Sequence, residues 1–156
     1  MLTAREPDEP TSYAEEMPES SHPTFDPAAQ GVTGVHAQLG VEILEYAADR
    51  VILSVPVGPK VHQPFGILHG GVSALLAESA ASMGGMLNVQ EGKVVVGTEI
   101  NASHLRSASG GTLIATATPI RIGRTVQVWR IELTDQDGRA ICDARCSLAV
   151  IDRPGS

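Results

Sequence analysis

The segment "GVSALLAESAASMGGML", residues 71–87, constrains this chain more than any other. Small and apolar residues follow one another with no polar stripe, which predicts a helix over 71–87 without a solvated face. A helix of that kind has to be enclosed rather than laid on a surface. On both sides of it the hydrophobic period changes to two. "GVEILEY" and "RVILSVPV" read as a hairpin joined by "AAD". After the helix, "KVVVGTEINASHLR", "GTLIATATPIRI", "TVQVWRIELTD" and "RAICDARCSLAVID" read as long strands, separated by the turn signals "SASGG", "GR" and "DQDG". A short helix, weakened by glycines, is expected in "AAQGVTGVHAQL", and "GPKVHQPFGI" is a loop punctuated by Gly and Pro. Two strands, one enclosed helix and then four strands predict an α+β fold. Its form is one curved antiparallel sheet wrapped around one long central helix.

At 156 residues the chain holds one domain with a sizeable core. The formal charge of −7 is unevenly placed, because residues 1–30 carry seven acids and a single Arg. The rest is nearly neutral and offers no basic stripe to a phosphate backbone, so nucleic acid is not an expected partner. No stretch is apolar enough to span a bilayer and the N-terminus has no secretory apolar region. A cytoplasmic protein without a membrane partner is therefore expected. Residues 1–27, acidic and Pro- and Ser-bearing, are too poor in aliphatics to repay their ordering entropy and are read as a flexible tail. Residues 28–152 are read as the folded domain.

Cys142 and Cys146 point to one face of their strand but lie about 13 Å apart, too far for a disulfide. They are expected to be small core fillers in a reducing compartment. No zinc spacing occurs and the five histidines form no ligand pair on a helix, so a metal site is not expected.

Two features of the helix bear on chemistry. Glu78 is its one charged residue, and a carboxylate without a cationic neighbour on an apolar helix is a functional candidate. The helix opens on "HGG", where glycines leave backbone N–H groups uncrowded at the positive end of the helix dipole. The same glycines equally suit a tight loop-to-helix turn. Gly70 and Glu78 are separated by about 12 Å of helix. A carbonyl held by one Gly70 amide is then out of reach of Glu78 on the same chain, so joint action requires two chains. Gly70, Ala74, Glu78 and Ser82 form a narrow stripe that would admit a second backbone or a slender ligand. A serine hydrolase is disfavoured by the absence of G-x-S-x-G.

The blocks "QPFGILHGG", "LAES", "VVGTEINASHLR" and "GRTVQVWRIEL" resemble the hotdog-fold acyl-CoA thioesterases. Within these the chain is similar to the phenylacetyl-CoA and hydroxyaryl-CoA branch, and most of all to the 1,4-dihydroxy-2-naphthoyl-CoA thioesterases of menaquinone synthesis. The resemblance covers roughly residues 39–151 in several separately matched blocks. It implies homodimers with shared active sites, usually assembled as tetramers. It also implies that Glu78 is the catalytic acid, acting as nucleophile or as general base. By the same resemblance the Gly70 N–H polarises the thioester carbonyl, Gln63 contacts the same thioester and His69 shapes the turn. Ser82 matches a position that holds water or the acyl group.

His104 and Arg106 share a strand face by parity, and the resemblance puts them near the nucleotide and phosphates of CoA. Arg124, in the "IGR" turn, is a weaker phosphate candidate. The acidic tail has no counterpart in the family. The expected reaction is hydrolysis of an aryl-CoA thioester to the acid and free CoA, with no cofactor beyond the CoA carried by the substrate. The first-choice substrate is 1,4-dihydroxy-2-naphthoyl-CoA. 4-Hydroxybenzoyl-CoA and thioesters on acyl-carrier proteins are rivals. A non-hydrolysing acyl-CoA sensor is disfavoured, since it would need no isolated carboxylate.

Overall fold

A computed structural model describes residues 31–154. The proposed tail lies outside the described residues. Among the described residues the first element is α1 (Gly34–Leu39); of the segment expected to be helical, residues 31–33 are not helical and residues 28–30 lie outside the described residues. It ends at Gly40, whose φ of 76° is a left-handed conformation open to Gly at no steric cost. There the Gly40 N–H donates to Ala37 O and the Val41 N–H to His36 O, which closes the last turn.

Strands β1 (Glu42–Tyr46) and β2 (Val51–Pro56) then form the expected hairpin, closed by paired hydrogen bonds between Ala47 and Arg50. After the loop comes the long helix α2 (Gly70–Met86), followed by β3 (Lys93–His104), β4 (Thr112–Ile122), β5 (Val126–Asp135) and β6 (Ala140–Asp152). All neighbouring strands pair antiparallel in one sheet of order β1-β2-β4-β5-β6-β3. The chain thus leaves β2, runs through α2 and enters the sheet at its opposite edge. The 12-residue β3 pairs with β6 on one side and, among the described residues, has no neighbour on the other.

Helix α2 packs against β2 to β6, and the core lies between them. Gly84 and Gly85 sit inside the helix and permit this close approach. A Cβ on Gly84 would lie 2.5 Å from the Trp129 ring, and one on Gly85 2.6 Å from Leu148 Cδ1. Buried Gln127 ties the end of the helix to the sheet. Its Nε2 donates to Gly85 O, and its Oε1 accepts from Trp129 Nε1 at 3.1 Å, so no polar atom of the pair is buried unmet. Both cysteines are free and buried on β6, as core fillers.

One expectation is corrected here. The helix is not enclosed. The sheet covers the face carrying Leu76, Ala77, Ala80 and Ala81, all fully buried, while Glu78, on the flank of the helix beside the edge strand β3, is exposed. A run of small residues hides which side is covered, because Ala contributes little apolar area to either face.

Candidate active site

The start of α2 is built by His69. Its backbone is extended (φ −74°, ψ 127°), and its Nδ1 accepts from the Gly71 N–H at 2.9 Å while its carbonyl accepts from the Val72 N–H. Residue 69 is therefore an N-cap that satisfies two of the orphan donors of the first turn. The Gly70 N–H, between them, donates to no protein group among the described residues. Because Nδ1 acts as the acceptor, the neutral ring carries its proton on Nε2.

The loop before the helix is pinned to the same place. His69 N donates to Val61 O, Leu68 N to Ala108 O, and Gln63 N to Ile67 O. Gln63 Oε1 accepts from the Phe65 N–H at 3.0 Å, which leaves the Gln63 amide N–H groups as its available donors. On the other side stands His104, the last residue of β3. A Cβ on Gly70 would lie 2.7 Å from His104 Nε2, so a larger residue at this helix start would push the His104 ring aside. Gln63, Gly70, Ser73, His104 and Arg106 line one pocket of about 340 Å³. Arg106 lies beyond the end of β3, so strand parity is not what pairs it with His104. The Leu105 and Arg106 N–H groups both donate to Ile141 O, which carries Arg106 into the same wall.

Glu78 faces elsewhere. With Ala74, Leu75, Ser79, Ser82, Met83 and Met86 it lines an open groove of about 590 Å³ along the uncovered face of α2. Its carboxylate leans on β3 at Gly97, where a Cβ would overlap Glu78 Oε1. β3 shifts register between Gly97 and Glu99, and the Thr98 hydroxyl donates to Ser147 O across the irregularity. Below, burial pushes the Cys146 thiol up to about 12, helped by the carboxylates of Glu78 and Glu99.

The chain therefore carries two separate concavities. Gln63, Gly70, His104 and Arg106 meet in one pocket, and Glu78 and Ser82 meet in a separate groove. Arg124 joins neither. It is exposed in the β4–β5 turn, at the end of the sheet where Val126 aligns with Ala149 and Val96. His104 lies eight residues further along β3, roughly 25 Å away.

Sequence reasoning missed four residues. His36 reaches the groove from α1 and bonds Ser79 Oγ through Nε2 at 2.6 Å, while the Ser79 hydroxyl donates to Leu75 O. Gly97 supports the Glu78 carboxylate, and Ser73 contributes to the wall of the Gly70 pocket. Only "VVGTE", a Gly inside a strand pattern, carried a local signal.

The family model described as Thioesterase superfamily matches residues 65–142, a span holding the helix and all of β3 to β5. A 1,4-dihydroxy-2-naphthoyl-CoA hydrolase from Listeria monocytogenes is 44% identical over 117 residues, 75% of this chain and 95% of the relative. The proofreading thioesterase EntH of Cronobacter turicensis is 45% identical over 113 residues, 72% of this chain and 82% of its own. The crystal structure of a thioesterase from Haemophilus influenzae is 41% identical and superposes with a TM-score of 0.75, covering 80% of this chain and 88% of that one. A free backbone donor at a glycine-opened helix start and a carboxylate on that helix thus coincide with family membership in sequence and fold. The chain belongs to the thioesterase superfamily and is a thioester hydrolase of the hotdog fold.

Proposed function

We propose that this enzyme hydrolyses an aryl-CoA thioester to the free acid and CoA, in sites shared between two chains. The observation that carries the reading is the separation of the unengaged Gly70 N–H from Glu78, which lie in different concavities and about 12 Å apart along the helix. An antiparallel pairing of two α2 helices about a two-fold axis near Ala74 sets Gly70 of one chain opposite Glu78 of the other. The stripe of Gly70, Ala74 and Ser82 suits such close approach. The unpaired edge of β3, where Glu78 rests on Gly97, supports it, since a 12-residue bare edge is a template for another strand. A dimer of dimers extends the same proposal.

In this arrangement the thioester carbonyl accepts from the Gly70 N–H and the Gln63 amide. Both donors are held by local structure before substrate arrives, as oxyanion stabilisation requires. His69 acts by keeping the neighbouring amides occupied. Glu78 from the other chain either attacks the carbonyl carbon or deprotonates water that does so. In the first route the CoA thiolate leaves, a mixed anhydride remains, and water then cleaves it to regenerate the carboxylate. In the second, the tetrahedral adduct expels thiolate, which takes the proton from Glu78. Ser82 stands one turn along the groove from Glu78, placed to hold water or the acyl group. Arg106 supplies positive charge, and His104 a hydrogen-bonding ring, at the rim of the Gly70 pocket for the CoA nucleotide and phosphates. Arg124 can serve the same phosphates only from another chain. No metal or further cofactor enters any step.

The groove's Ala74, Leu75, Met83 and Met86 supply an apolar bed for an aromatic acyl group. The relative named for 1,4-dihydroxy-2-naphthoyl-CoA supports that substrate first. The relatives named as proofreading thioesterases, at similar identity, support acyl groups on carrier proteins as the second reading. A panel of thioesters with free-thiol detection decides. The expected outcome is kcat/KM at least about tenfold higher for hydroxyaryl-CoA than for short or long aliphatic CoA, since ring burial is worth about 1.4 kcal/mol or more. Equal rates on palmitoyl-CoA, or a preference for a carrier-bound acyl group, would overturn the aryl-CoA assignment.

A further inference from the structure

Ser73 is 1% exposed, and its hydroxyl is one of two buried side-chain groups among the described residues without a hydrogen-bond partner in the protein. A helical Ser ordinarily bonds the carbonyl one turn back, as Ser79 does with Leu75 O at 2.7 Å. Ser73 lies one turn beyond Gly70, and Cβ atoms in a helix tilt toward the N-terminus, so its hydroxyl leans toward the turn that Gly70 opens. Both residues line the same pocket, together with Gln63 and His104. A buried hydroxyl left unmet lowers stability, and such a cost is commonly retained where a ligand meets the group.

We infer that the Ser73 hydroxyl is a further substrate contact, donating to the thioester carbonyl oxygen beside the Gly70 N–H. The inference rests on the thioester reading above and deepens it. Its signature is a stability change opposite in sign to the functional one. Removing an unmet hydroxyl leaves the unliganded protein as stable or more so, whereas removing a structural hydrogen bond lowers the melting temperature.

The test compares wild type, Ser73→Ala and Glu78→Ala by thermal melting, by turnover of 4-hydroxybenzoyl-CoA and by calorimetric binding of two non-hydrolysable probes. One probe is 4-hydroxyphenacyl-CoA, a thioether that keeps a ketone next to its S–CH2 group. The other replaces that ketone with methylene. Ser73→Ala should melt no lower than wild type and lose about fivefold or more in kcat/KM. It should also bind the ketone probe about fivefold more weakly while binding the methylene probe unchanged. A lowered melting temperature would overturn the inference by showing that the hydroxyl is structural. Equal weakening of both probes would overturn it by placing the hydroxyl against another part of the ligand, as would wild-type kinetics in the variant. Failure of the thioester reading shows separately, as absence of turnover in the wild type or full turnover in Glu78→Ala.

Discussion

The carboxylate of Glu78 rests against the backbone of Gly97 so closely that any side chain at 97 would occupy its place. Gly97 lies on the bare-edged β3, just before the register shift, so the strand that would meet a second chain also sets the position of the proposed catalytic acid. Gly97→Ala should therefore displace the carboxylate without disturbing the core, because the clash is with the flexible end of a side chain. The melting temperature should fall little, while kcat drops about tenfold to a hundredfold, the usual consequence of an ångström-scale misplacement. An unchanged kcat would show that Glu78 does not need this support.

Glu78 is exposed in the protomer, and no salt bridge within it involves Glu78 among the described residues. Glu78→Ala should fold with near wild-type stability and lose about a thousandfold in turnover, with acyl-CoA binding retained. Most of the wild-type rate surviving would remove Glu78 from the mechanism.

The shared site predicts complementation. Gln63→Ala and Glu78→Ala should each be poor enzymes, the first by roughly a hundredfold. When they are co-expressed, a mixed dimer holds one site with both lesions and one with neither, so a substantial fraction of activity returns. If each chain supplied both residues to its own site, mixing would restore nothing. That result, with mixed dimers confirmed by mass spectrometry, would end the shared-site model.

Cys146 should resist alkylation. Its thiol is pushed up to about 12 from an ordinary value of 9.0, so at pH 8 its thiolate is depleted about a thousandfold. Cys142 is also raised, by burial first and then by Asp143. Iodoacetamide should modify both only as fast as the protein opens. The raised folded-state value also fixes the sign with pH. The stabilising contribution is full below about 9 and is lost as pH rises from there to about 12, because the unfolded chain releases the proton first. Fast native-state labelling of Cys146 would contradict this burial.

Periodicity alone was enough for the six strands, the long helix and the hairpin, because alternation and helical spacing are local consequences of backbone geometry. Composition and spacing also singled out Glu78 and Gly70, since a lone charge on an apolar helix and a glycine-opened helix start are visible within a few residues, whereas His69 came from the family resemblance and its N-cap role from the structure. The remaining outcomes depended on contacts between residues far apart in the chain. The sheet wraps one side of α2 and leaves Glu78 on the open side, a choice that a run of Ala, Ser and Gly does not encode. The register of β3 on β6 brings Gly97 under Glu78 and His104 onto Gly70, and the pairing of β5 with β6 sends Arg124 to the opposite end of the sheet. His36 meets Ser79 across 43 residues of chain. Local pattern thus determined which residues could act, and strand pairing decided which of them meet, because a one-residue change of register would move every side chain of β3 to the other face.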